Sequence, residues 1–129
     1  MMMNFIVLRG KYSIYKFKNQ SVLPEWIYSS DFYSVTKTKD ELSVIAFQTE
    51  SISEDIVCSN DWRIIKIEGP LDFSLVGIIA DIAAIFKEKK IPIFTISTYE
   101  TDYILVKQKD LSAGMKALRD KGHLISAET

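Results

Sequence analysis

At 129 residues the chain is long enough for one compact domain, or for two very small ones sharing a core. Its 47% apolar and 26% charged residues are ordinary for a globular protein, and a net charge of -1 with a pI near 5.8 lacks the basic footprint of a nucleic-acid binder. Cys58 is the single cysteine, which excludes a disulfide framework and a thiolate metal cluster and leaves a half-buried free thiol.

The first residues have no basic residue ahead of their apolar run, which Arg9 interrupts, so 1–8 reads as a first strand and not as a signal peptide. Residues 5–9, Gly10-Lys11 and 12–17 predict a hairpin or a bent strand pair. Pro24 at a first helical position permits one or two helical turns. Two strands are predicted at 32–38 and 42–47 around the charged turn Lys39-Asp40-Glu41, and the polar, aperiodic 49–60 reads as a connector.

From Trp62 onward the pattern sharpens. Residues 62–68 are rich in β-branched and aromatic side chains and stop at Gly69-Pro70. Leu75, Ile78, Ile79, Ile82, Ala83 and Phe86 recur at helical spacing, with Ser74 placed to cap the helix and Lys87, Lys89 and Lys90 suited to its negative end. Strands follow at 91–99 and 103–107 around the turn Glu100-Thr101-Asp102. Asp110 then caps a second helix that buries Leu111, Met115 and Leu118, carries Gly114 at a cost of up to about 1 kcal/mol relative to Ala, and closes at Gly122. A last strand spans 123–126. The order β-α-β-β-α-β is that of the split βαβ, or ferredoxin-like, unit. The longest apolar run, 75–86, contains Asp81 and falls well short of the roughly 20 residues that span a bilayer. A cytoplasmic protein without membrane contact is the expectation.

An internal repeat divides the chain. At an offset of 61 residues, 34–45 aligns without a gap on 95–106, apolar on apolar and hydroxyl on hydroxyl, with Glu41 against Asp102. Residues 5–10 and 64–69 match at nearly the same offset. The expectation is α+β, two ferredoxin-like units side by side: a degenerate one over 1–60 that has lost most of its long helix, and a complete one over 61–129.

Residues 68–82 followed by 93–106 carry a resemblance. The specific part is Ser97-Thr98-Tyr99, Thr101-Asp102-Tyr103 and Leu105-Val106; the helix and its Gly77 are the more general part. The chain resembles tandem ACT-domain proteins, the small bacterial ones and the ACT modules of CASTOR-type arginine sensors. The resemblance implies that a pair of ACT units holds a free amino acid or similar small ligand at an interface and passes the signal to a regulated protein. By the same resemblance Asp72, Phe73, Leu75, Val76, Thr98, Tyr99 and Asp102 match positions lining the ligand pocket, and Ile93 one that contributes from the partner module. The sensors have four modules and this chain two, so the resemblance implies a homodimer. Leu75 and Asp72 stand where some relatives have a glycine or an acid, so arginine itself is not implied.

The chemistry of these residues suits such a ligand. The amides at the start of the helix after Ser74 suit a carboxylate, and Gly77 admits close backbone approach. Thr98 and Tyr99 offer hydroxyls and an aromatic wall, and Asp102 an anion for an amine or guanidinium. Asp102 is equally read as a turn residue, and His123, the only histidine, as structural. No Ser-His-Asp spacing, Walker loop or metal cluster is present, so neither an enzyme nor a bound cofactor is expected. The function expected is amino-acid sensing; the alternative is an ACT-fold module that only dimerises or docks on a protein.

Overall fold

The computed structural model describes residues 2–19, 22–53, 55–68 and 77–128. Along them run β1 (Asn4–Val7), β2 (Tyr12–Phe17), a 3-10 turn (Glu25–Ser29), β3 (Ser34–Lys37), β4 (Leu42–Phe47) and β5 (Val57–Ile67). Then come α1 (Ile78–Glu88), β6 (Phe94–Ser97), β7 (Asp102–Lys107), α2 (Leu111–Asp120) and β8 (Leu124–Ala127). The architecture is α+β. Two compact units form: one is Gly10–Trp62, the other Met1–Arg9 together with Arg63–Thr129.

In the Gly10–Trp62 unit the strands lie in the order β5-β2-β4-β3, with every neighbour antiparallel and β5 taking part through its first half. In chain order that is fourth, first, third, second, the ferredoxin-like arrangement, although the described residues between these strands include no α-helix. The short 3-10 turn takes a helix's place on the core. Pro24 fixes its entry, and Ile27 is fully buried among Tyr15, Phe17, Leu42 and Val44. Cys58 packs against this cluster as a partly exposed free thiol.

In the second unit the order is β8-β1-β5-β7-β6. Without β1 it would again read fourth, first, third, second. β1 is inserted between β8 and β5, antiparallel to β5 (Phe5 opposite Ile67) and parallel to β8 (Phe5 opposite Ile125). Of the hairpin or bent strand pair expected for residues 5–17, the hairpin is therefore not made, and the first strand groups apart from 10–62. It joins the unit whose remaining strands lie beyond Arg63. The expected connector 49–60 is likewise shorter, because Val57 to Asn60 already extend β5.

Alternation along these strands turns Phe5, Val7, Ile65, Ile67, Ile104 and Val106 to one face, where Ile82 and Phe86 of α1 and Leu111 and Leu118 of α2 bury. Each such side chain stabilises by about 1.5–3 kcal/mol. The two helices approach closely because α2 has Gly114 opposite Phe86: a Cβ there would stand 2.9 Å from the Phe86 ring. α2 opens at Asp110 without a side-chain capping bond. It closes at Gly122 (φ +90°), with the Gly122 amide bonded to the Arg119 carbonyl (2.9 Å) and the His123 amide to that of Leu118 (3.2 Å).

The internal repeat is real in the hairpins, but its offset is 60 residues. Thr38 and Thr98 open identical turns: each donates its amide to the carbonyl three residues on, of Glu41 (2.9 Å) and Thr101 (2.8 Å). Each hydroxyl also accepts the amide of that same residue, at 3.1 Å and 3.3 Å. The registers agree, with Ser34 opposite Ile45 and Phe94 opposite Leu105, and so do the buried triplets Val44-Ile45-Ala46 and Ile104-Leu105-Val106. Glu41 thus corresponds to Thr101 and not to Asp102.

Candidate functional site

The connections of the second unit bring three features to one end of its sheet. β5 finishes there at Ile67, α1 begins there after Gly77, and β6 turns there into β7. The turn is tied down by a buried bond. Thr101 is 6% exposed, and its hydroxyl donates to the Ile67 carbonyl at 2.6 Å. The last residue of β5 and the 98–101 turn are therefore fixed to each other.

Of the residues expected to line a site, Asp72, Phe73, Ser74, Leu75 and Val76 lie outside the described residues. α1 is capped at Gly77, in the left-handed region (φ +82°), and the Asp81 amide bonds to the Gly77 carbonyl at 2.9 Å. Gly77 is exposed, with nothing within 4 Å of where a side chain would start. Asp102 sits opposite Ser97, whose hydroxyl donates to its carboxylate. One carboxylate oxygen keeps this local partner while the group stays on the surface. The Thr98 hydroxyl is committed to its own turn, donating to the Thr101 carbonyl (3.1 Å) as it accepts the Thr101 amide. Tyr99 is 84% exposed on the turn.

Ile93 does not join them. It precedes β6, at the other end of that strand from the turn, and is half-buried against the core. Four residues at about 3.3 Å each put it roughly 13 Å from Ser97. Gly77, Thr98, Tyr99 and Asp102 share one end of the unit; Ile93 lies at the opposite one.

Two features escaped the sequence reading. Thr101 reads in the sequence as a turn residue, and its bond to Ile67 crosses 34 positions. The other is a concavity of about 540 Å³ lined by Asn4, Phe5, Glu68, Arg119, His123 and Leu124, among others. It forms because β1 is inserted beside β8, a pairing that no local pattern signals. His123 is fixed at its rim: Nδ1 accepts the Met3 amide at 3.0 Å, and the ring meets Phe5 edge-on at 5.3 Å. Burial lowers the His123 pKa below its usual 6.5, favouring the neutral ring that this acceptor role requires. Among the described residues no group of three or more His, Cys, Asp or Glu is placed to hold a metal, and no helix is long and apolar enough to cross a membrane.

With this geometry in view, residues 57–120 match the family model of the ACT domain. Residues 10–55, nearly the whole of the other unit, match a second family model, that of an N-terminal domain. The chain is similar to a crystal structure of an Agobacterium tumefaciens protein, at 29% identity with a TM-score of 0.90, covering 100% of this chain and 96% of that one. It is also similar to a Vibrio cholerae protein of unknown function, described as a possible transport protein (18% identity, TM-score 0.73, 92% and 88% covered). A third likeness is to the regulatory subunit of aspartate kinase from Thermus thermophilus in its ligand-free form (11% identity, TM-score 0.63, 88% and 93% covered). The last two are likenesses of fold. No curated protein matches the chain.

Proposed function

We propose that the chain is a regulatory protein, not an enzyme, whose ACT domain binds a free amino acid at the end of the sheet framed by the 98–101 turn and the start of α1. The observation that carries this reading is the buried Thr101–Ile67 bond, which holds the turn rigidly beside the entry to the helix. A pre-set frame next to helix amides, with an acid on its rim, is what a ligand with a carboxylate and a basic group needs. Asp102 is the acid, and a basic amino acid the favoured ligand. The likeness to an aspartate kinase regulatory subunit supports a regulatory role.

The finer parts of the proposal follow. The Gly10–Trp62 unit is a pared-down ACT copy; its strand order and its Thr38 turn, equivalent to that at Thr98, support this. The working form is a homodimer, in which Ile93 of a second copy completes the site that it cannot reach within its own chain. The signal passes to a regulated protein. A second reading, an ACT-fold module that only dimerises or docks, is favoured by one observation: Phe94 on the edge strand β6 and Tyr99 on its turn are both exposed.

A thermal-shift screen of the full chain against free amino acids tests the proposal. A ligand at about 100 times its dissociation constant adds roughly 2.7 kcal/mol. For a chain of this size that is a rise of several degrees, and Asp102→Ala is expected to abolish it without unfolding the protein. A shift that survives in Asp102→Ala removes Asp102 as the anchor. A flat panel from a well-folded dimer selects the assembly module.

A further inference from the structure

The concavity at the head of β1 and β8 lies on the far side of β5 from the 98–101 turn and has its own chemistry. Glu68 and Arg119 both line it. Among the described residues neither side chain has a hydrogen-bond or ion-pair partner, and the two are not within 4.0 Å of each other. Opposite charges therefore flank one open space without neutralising each other. His123 adds a third group in a fixed state. Because Nδ1 accepts the Met3 amide, the ring proton is on Nε2, and a donor is available at the rim. Phe5 and the exposed Leu124 supply apolar wall. A volume of about 540 Å³ is within the range of small-molecule sites.

We propose that this concavity is a second ligand site, for a small zwitterion of the amino-acid class, with its carboxylate toward Arg119 and the His123 Nε2–H and its ammonium toward Glu68. A guanidinium takes a carboxylate through two parallel bonds, and the neutral imidazole adds a third donor without adding charge. Asn4, beside Glu68 where the Glu68 amide bonds to the Asn4 carbonyl (2.8 Å), offers a side-chain acceptor for the ammonium. The site is separate from the one framed by the 98–101 turn and does not rest on it.

Amide NMR spectra of the full chain decide the matter, with the twenty L-amino acids as probes at millimolar concentration and acetate and methylammonium as the two halves of the ligand. The expected result is that an amino acid shifts the amides of Asn4, His123, Leu124 and Ser126, and that acetate or methylammonium alone binds at least tenfold more weakly. Glu68→Gln and Arg119→Gln, both at exposed side chains, should each weaken that binding tenfold or more, whereas Asp102→Asn leaves it unchanged. Shifts confined to Gly77, Thr98 and Thr101, insensitive to the Glu68 and Arg119 variants, would overturn this site and leave the proposed function standing. Shifts confined to the concavity would support it and count against the turn as a site. No shift with any probe would overturn both.

Discussion

Thr101 does more for the fold than its place in a turn suggests. Its hydroxyl donates from the β6–β7 turn to the end of β5, and the bond is buried. Thr101→Val keeps the shape and leaves the Ile67 carbonyl without this donor, which costs about 1–3 kcal/mol. Urea unfolding is expected to show that loss, and Thr101→Ser to recover most of it. His123 sets a different sensitivity. Its folded pKa lies below 6.5 because burial disfavours the charged ring, so the unfolded chain takes up the proton more readily. Its contribution is complete above that value and declines as pH falls below it through the folded pKa. A plot of stability against pH between about 5 and 7 should therefore slope upward, and His123→Gln should flatten it.

At the scale of elements, Gly114 illustrates where propensity misleads. By helix propensity alone Gly114→Ala gains about 1 kcal/mol. The structure sets against this a Cβ 2.9 Å from the ring of Phe86, which is fully buried in the core. Overpacking of this kind costs about 1–3 kcal/mol. The net expectation is a lower denaturation midpoint for Gly114→Ala, with Phe86→Leu partly relieving it in the double variant. Much at this scale was readable from the sequence. β2 and β4 fall where their alternation put them, α1 carries the expected Ile82 and Phe86, and α2 runs between Asp110 and Gly122. The 61-residue offset of the repeat was one too many, since matching Glu41 to Asp102 by charge competes with the turn geometry that pairs Thr38 with Thr98. A slip of one residue reverses every side chain of a strand, and the buried triplets and the strand registers reveal it along with the turns.

Across the whole molecule, what the sequence hid is the position of β1. Four residues, Asn4–Val7, pair with Leu124–Ala127 and with β5, contacts that no periodicity or turn signal encodes. A fragment beginning at residue 61 lacks this internal strand, leaving β5 and β8 without their common neighbour. Such a fragment is expected to be unfolded or aggregated. Joining residues 1–9 directly to 63–129 through an Asn-Gly turn is expected to restore a cooperative unit, because Leu8 and Ile64 are already bonded at 2.9 Å as in a hairpin. Circular dichroism and thermal melts of the two pieces distinguish these outcomes. The concavity of Glu68, Arg119 and His123 was hidden for the same reason: its walls meet only once β1 is in place.

The insertion of β1 also dictates an order of events during synthesis. β1 leaves the ribosome before either of its neighbours, one of which is completed only at Ala127, and the Met3–His123 bond closes a span of 120 residues. The Gly10–Trp62 unit has all its strands as soon as residue 62 has emerged, so it can fold while β1 waits with an unpaired edge. Closing so long a loop is slow relative to local hairpins. The sheet of this unit is thus finished only when β8 captures the waiting β1, and the pocket beside them comes into being at that moment.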